Sequence, residues 1–261
     1  MISSDFRTEA RKKLQGKWGK AVCIFLAYSV IFFLLGFIEG LFPDSMEPIF
    51  SIISLVIEVP LAFGFIFAFV KLYNDENVKS FDFLSLGFSN FAKSWKISLQ
   101  ILVKMIVPII LVIISYALIV FGAFGSADVA LYSYSTTAGF GALTIIGFIL
   151  LIVSMIWATT KSYYYQLSYL VAVDNSDLTA KEIVEKSAEL MTGNRAKLFF
   201  LQLSFIGWAI LALIPFCIGY LWLAPYVQFS IIAFYKFVSA NNSNVEAKVV
   251  TENNDNPIQG E

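Results

Sequence analysis

The chain contains no histidine. That removes the side chain that titrates nearest neutral pH and the commonest protein ligand for transition metals. Any catalysis has to rest on carboxylates, lysine, tyrosine, serine or cysteine. Cysteine is scarce too: Cys23 and Cys217 are the only two. The spans drawn below put them near opposite faces of a membrane, so they cannot bridge, and both read as small apolar packing residues. Charge is the third scarcity. Charged residues fill 14% of the 261 positions, against about 25% in soluble domains. Much of the surface therefore faces something other than water. A phosphate-binding glycine loop, spaced zinc ligands, H-E-x-x-H and a nucleophile elbow are all missing. An ATPase or a metalloprotease would need residues this chain lacks. No catalytic, cofactor-binding or metal-ligating residue is assigned. The basic residues stand beside apolar runs, where lipid headgroups are the nearer anion, so nothing points to nucleic acid.

What is present is apolar length. Leu198–Phe237 passes forty residues with Lys236 as its one charge. A core helix of a soluble domain buries only one stripe, so a run apolar on every side reads as membrane span. At 1.5 Å rise per residue, about 20 residues cross the hydrocarbon. Six such spans are expected, near 21–42, 49–73, 97–124, 142–173, 196–214 and 220–238. The first is too long for a cleaved signal and lacks a small-residue cleavage site. Its Gly36 and Gly40 form a G-x-x-x-G pair, which either lets two helices approach or reflects how common glycine is in spans. Residues 125–141, rich in Gly, Ser, Thr and Tyr, read as an exposed loop. Residues 239–261 read as a disordered polar tail.

The connectors carry amphipathic pieces. In the basic segment 1–20, Phe6, Ala10, Leu14 and Trp18 share a helical face, with Arg7, Arg11, Lys12 and Lys13 around it. Phe81, Leu84, Phe88, Phe91 and Trp95 do the same, flanked by Lys79, Lys93 and Lys96. Both resemble interfacial helices, apolar side toward the acyl boundary and cations toward headgroups. Thr179 and Glu182 form a capping box before Ile183, Val184, Ser187, Ala188 and Met191, with Gly193 as terminator. Each basic connector also carries a Gly-and-Lys phrase, around Gly16–Lys20, Gly87–Lys93 and Gly193–Lys197. That phrase either marks a unit repeated three times or reflects the taste of both residues for helix ends.

The distribution of the 18 Lys and Arg residues orients the chain. They cluster in the lead, after spans two and four, and near the C-terminal end, with Lys104 either at the boundary of span three or inside it. The three alternate connectors carry none. By the positive-inside rule both termini are cytoplasmic, in a plasma membrane. The expected fold class is thus an all-α membrane protein: six transmembrane helices as three hairpins, with cytoplasmic amphipathic interfacial helices.

One carboxylate, Glu58, falls well inside a span. Burying its charge is costly, so it is expected protonated, paired or beside water, either as a proton or ion site or as a packing bond between spans. Pro60 and Pro108 lie inside spans and are expected to kink them or free a carbonyl.

The phrases RTEARKKLQGKWGKAV (7–22), PLAFGFIFAFVKL (60–72) and above all residues 187–237 resemble the domain of unknown function 975 family of bacterial integral membrane proteins. Ser204, Gly207, Trp208, Gly219, Trp222, Pro225 and Tyr226 are its most recognisable marks, read as packing residues. The resemblance implies a multi-span protein with no assigned activity, and brings no catalytic residues. The expected role is non-enzymatic: a membrane-organising or accessory protein holding membrane lipids or a homo- or hetero-oligomeric membrane partner. The alternative is a small permease or exporter working around Glu58.

Overall fold

The computed structural model describes residues 3–129, 134–213 and 218–255, and these form helices and turns without a strand. Two compact units emerge: Met1–Ser98 together with Leu167–Glu261, and Leu99–Gln166. In chain order the helices are α1 (Ser3–Leu14), α2 (Trp18–Glu39), α3 (Glu47–Tyr73), α4 (Asp82–Ser89), α5 (Phe91–Val129), α6 (Tyr134–Tyr165), α7 (Ser168–Asp174), α8 (Ala180–Met191), α9 (Arg195–Leu203), α10 (Ile206–Leu213) and α11 (Tyr220–Asp255). Six stretches are long and apolar enough to cross a membrane: Trp18–Glu39, Glu47–Tyr73, Phe91–Phe124, Gly141–Asp174, Arg195–Leu213 and Tyr220–Asn244.

Several boundaries differ from hydropathy. The expected loop 125–141 is helical to Val129 and again from Tyr134. The polar tail, expected disordered, continues α11 as helix to Asp255. Extending an existing helix needs no new nucleus, so helices outrun the apolar run that starts them. The fifth span, expected continuous, is broken into α9 and α10 at Ser204–Phe205. There the Ser204 hydroxyl donates to the Leu201 carbonyl at 2.6 Å, and the Phe205 N–H turns back to Gln202 at 3.0 Å. A serine hydroxyl competing for a ladder carbonyl is a known way to interrupt a helix. Residues 214–217, with Cys217, lie outside the described residues. Cys23 is exposed and unbridged.

In the first unit the core gathers around α11. Phe229, Ile232, Phe234 and Tyr235 are buried there. The face of α1 expected to enter lipid is instead occupied by α11. Phe6 meets the rings of Phe234 and Phe237, each at 5.5 Å, and Ala10 and Leu14 are fully buried. Amphipathicity asks only for apolar contact, and α11 supplies it in place of acyl chains. On α4, Phe83 and Gly87 are buried against α3, while Phe88 and the flanking Phe81 and Phe91 stay exposed. Of the stripe singled out in the sequence, Phe81, Phe88 and Phe91 are thus outward while Leu84 and Trp95 are half-buried, and a second, inward face was missed. The capping box of α8 forms as expected: the Glu182 carboxylate accepts from the Thr179 N–H at 2.8 Å.

In the second unit, α5 and α6 approach closely at Gly147. A side chain there would meet Ile119 and the Ser115 carbonyl. Pro108 lies buried inside α5, and Lys104 is exposed.

Candidate functional site

The α3–α4 contact is built on two glycines. A Cβ added to Gly64 would strike the Phe83 carbonyl oxygen and come within 2.6 Å of the Gly87 nitrogen. One added to Gly87 would strike the Pro60 carbonyl oxygen. The backbones therefore touch directly across Pro60–Gly64 and Phe83–Gly87. Pro60 has no N–H, so the Val56 carbonyl loses its helical donor. The indole of Trp95 takes that place, donating from Nε1 to Val56 O at 3.3 Å. The freed carbonyl expected at Pro60 is thus present and capped.

Glu58 stands two residues before this junction and is half-buried. Its carboxylate lies within electrostatic reach of Tyr28. The Tyr28 ring meets that of Phe65 at 4.4 Å, tilted by 33°. Nearby, Tyr169 shares a 2.7 Å hydrogen bond with Ser98 and meets Phe63 edge-on. No hydrogen bond reaches the Glu58 side chain among the described residues.

Among the described residues, cavities open in the first unit, three of them as follows. One of about 500 Å³ is lined by Arg11, Trp18, Trp208, Ala212, Trp222 and Tyr226 among others. A second, about 410 Å³, is lined by Tyr28, Phe65, Gln202, Phe205, Tyr220 and Gln228 among others. A third, about 430 Å³, lies by Asn90, Lys93, Lys96, Ser176 and Thr179. Glu58 lines none of these three. Among the described residues no group of three or more acids and cysteines could hold a metal ion.

Four of the seven family-mark residues, Trp208, Gly219, Trp222 and Tyr226, line the first cavity. Tyr226 is buried, accepts from Arg11 Nε at 2.9 Å, and meets Phe205 edge-on at 5.2 Å. Trp208 and Trp222 are about half exposed, so part of each indole faces the cavity rather than protein. Gly219 passes so near Ala212 that a Cβ would lie 2.7 Å from its Cα. Ser204 belongs to the helix break, Pro225 lies buried inside α11, and Gly207 faces open space. Arg11 and Trp18 join this group only in three dimensions. Their membership had no signal in spacing, because about two hundred residues separate them from Tyr226.

Many basic residues assigned to headgroups by the sequence work inside the protein instead. Lys13 and Lys17 both pair with Asp75, at 3.1 and 2.6 Å, and Lys17 also donates to the Leu72 carbonyl at 2.6 Å. Lys20 reaches Asn77, and the Tyr73 hydroxyl donates to Glu9. Lys93 donates to three carbonyls at the end of α7, those of Ala172, Asn175 and Ser176, where the helix dipole favours a cation. Lys236 pairs with Asp174 at 2.7 Å.

The two lysines hold the Asp75 carboxyl below its ordinary value. A depressed folded-state value contributes stability above the unfolded value, about 3.9, that is lost as pH falls through the folded one. Acidifying below about pH 4 is therefore expected to loosen the α1–α2 junction from the end of α3. Asp75→Asn, which tolerates the positive φ of 66° there, should remove that acid-dependent step while leaving the backbone in place. Protease cleavage near Gly16 against pH measures it, and an identical profile in both proteins would refute it.

The long apolar helices, the tight helix pairs and the half-open aromatic cavity define an α-helical multi-span membrane protein. More narrowly, the chain belongs to the family described as Protein of unknown function (DUF975), which matches over residues 1–242. No curated protein and no solved structure matches it.

Proposed function

We propose that this chain is a non-enzymatic membrane-organising or accessory protein. Its spans form three out-and-back hairpins, with both termini and the basic connectors in the cytoplasm. The observation that carries this reading is a division of the surface. Charged groups at one end of the first unit are spent clamping helix ends to each other, as in Lys17–Asp75 and Lys93 on α7. The far halves of α2 and α3 are apolar and bare, with Phe33 71% and Ile52 63% exposed. A clamped end and an unclothed apolar end suit a rigid body that offers its flank to lipid or to another protein's spans. Crosslinkers placed at Phe33 and Ile52 in native membranes should trap a neighbouring span.

The second reading, a small permease, draws support from Glu58. It has no hydrogen-bond partner among the described residues and precedes an in-helix proline. Vesicles holding the purified chain, with a pH-sensitive dye inside and an imposed proton gradient, separate the two. The accessory role expects the gradient to decay as in empty vesicles. Faster decay that disappears in Glu58→Gln would replace it with the permease.

A further inference from the structure

We infer that the cavity between the N-terminal segment and α10–α11 is a binding site for an anionic phospholipid, with Arg11 on the phosphodiester and the acyl chain along Trp208 and Trp222. The site deepens the lipid-holding part of the role proposed above and rests on it.

The lining is split by chemistry. One end holds the Arg11 guanidinium and the Tyr226 hydroxyl. The remainder is indole and aliphatic: Trp18, Trp208, Trp222, Leu211 and Leu223. Water-filled sites for small polar solutes are not built this way, whereas a lipid has the same split. Tryptophan also favours the boundary between headgroup and hydrocarbon, where one edge meets polar groups and the face meets chains.

Charge decides which headgroup. Arg11 spends Nε on Tyr226 and makes no ion pair with a carboxylate among the described residues. Its two terminal amino groups remain, in the planar fork that matches two phosphate oxygens. Arg7, one helical turn earlier on α1, does not line the cavity, and its Nε is buried without a hydrogen-bond partner. Arg11, with no acidic partner among the described residues, calls for an anion at the cavity it lines. A choline or ethanolamine headgroup would bring its own cation against it. A free phosphate would satisfy Arg11 but leave the indole wall without an occupant.

Trp208, Gly219, Trp222 and Tyr226 also mark the family in the sequence. Their gathering with Arg11 and Trp18 explains why residues from both ends of the chain meet here. Gly219 keeps α10 and α11 close enough to floor the cavity.

The test uses the intact chain in mild detergent, given equimolar phosphatidylglycerol and phosphatidylcholine with the same acyl chains, and reads retained lipid by native mass spectrometry. Wild type should retain phosphatidylglycerol in preference. Arg11→Gln should lower that preference about tenfold, and Arg11→Lys should keep part of it, because charge without the fork remains. Trp222→Ala, at a half-exposed position, should lower retention of both lipids. It keeps the test alive if Arg11→Gln fails to fold. Equal preference in wild type and Arg11→Gln, or unchanged retention in Trp222→Ala, overturns the site. Displacement of the lipid by inorganic phosphate alone would assign the pocket to a soluble anion and overturn it too. Failure here leaves the non-transporting role standing, whereas gradient decay in vesicles removes that role without touching lipid preference.

Discussion

Gly64→Val is expected to destabilise the protein by about 3 kcal/mol, the upper end for overpacking, because what gives way is backbone rather than a side chain. The added atoms would enter the space of the Phe83 carbonyl and the Gly87 nitrogen. A flexible side chain could rotate aside. A helix backbone can move only with the whole of α4. Separating α4 from α3 would also disturb Trp95, which caps the carbonyl freed by Pro60 from the following helix. The thermal midpoint in detergent should fall sharply, with aggregation on heating. Gly36→Val is the matched control, since nothing lies within 4 Å of a Cβ there. Should both variants melt with wild type, the direct backbone contact of α3 and α4 is not present in solution.

Phe6→Ala is expected to cost about 3–5 kcal/mol, the range for truncating a fully buried phenylalanine. Phe6 is 1% exposed and lies between two rings of α11. This substitution separates two pictures of the N-terminal helix. If its apolar face lay in lipid, losing one ring would weaken membrane contact and leave the melting of the rest unchanged. If it packs on α11, the whole first unit loses stability, and residues 1–20 become open to protease at lower temperature. Phe33→Ala, at a 71% exposed position, should leave the midpoint near wild type. A Phe6→Ala midpoint equal to that of Phe33→Ala would return α1 to the lipid.

The same contrast shows where sequence reading stops. An apolar stripe on α1 says that something apolar must cover it. It cannot say whether the cover is an acyl chain or Phe234, because both remove the same surface from water. Lysines beside spans pose the same ambiguity. Lys17 and Lys93 read as headgroup partners, yet they bind Asp75 and the carbonyls ending α7. A carboxylate, a helix end and a lipid phosphate are all acceptable anions for a lysine. Glu58 was legible as an oddity from its position alone. Its neighbour Tyr28, from the first apolar helix, was not.

By itself the sequence determined the class: helical, multi-span, poor in the residues of enzymatic chemistry, and of the family its signature marks. Those properties depend on composition and on runs of about 20 residues, which are local and additive. The capping box of α8 and the freed carbonyl at Pro60 belong with them, since each is written within one turn of helix. Only the tertiary structure decided what each face meets. It put α1 on α11, joined Gly64 to Gly87, and brought Arg11 to Tyr226 from the far end of the chain. Such pairings depend on shape across long separations, and a pattern of periods three and four carries no record of its partner.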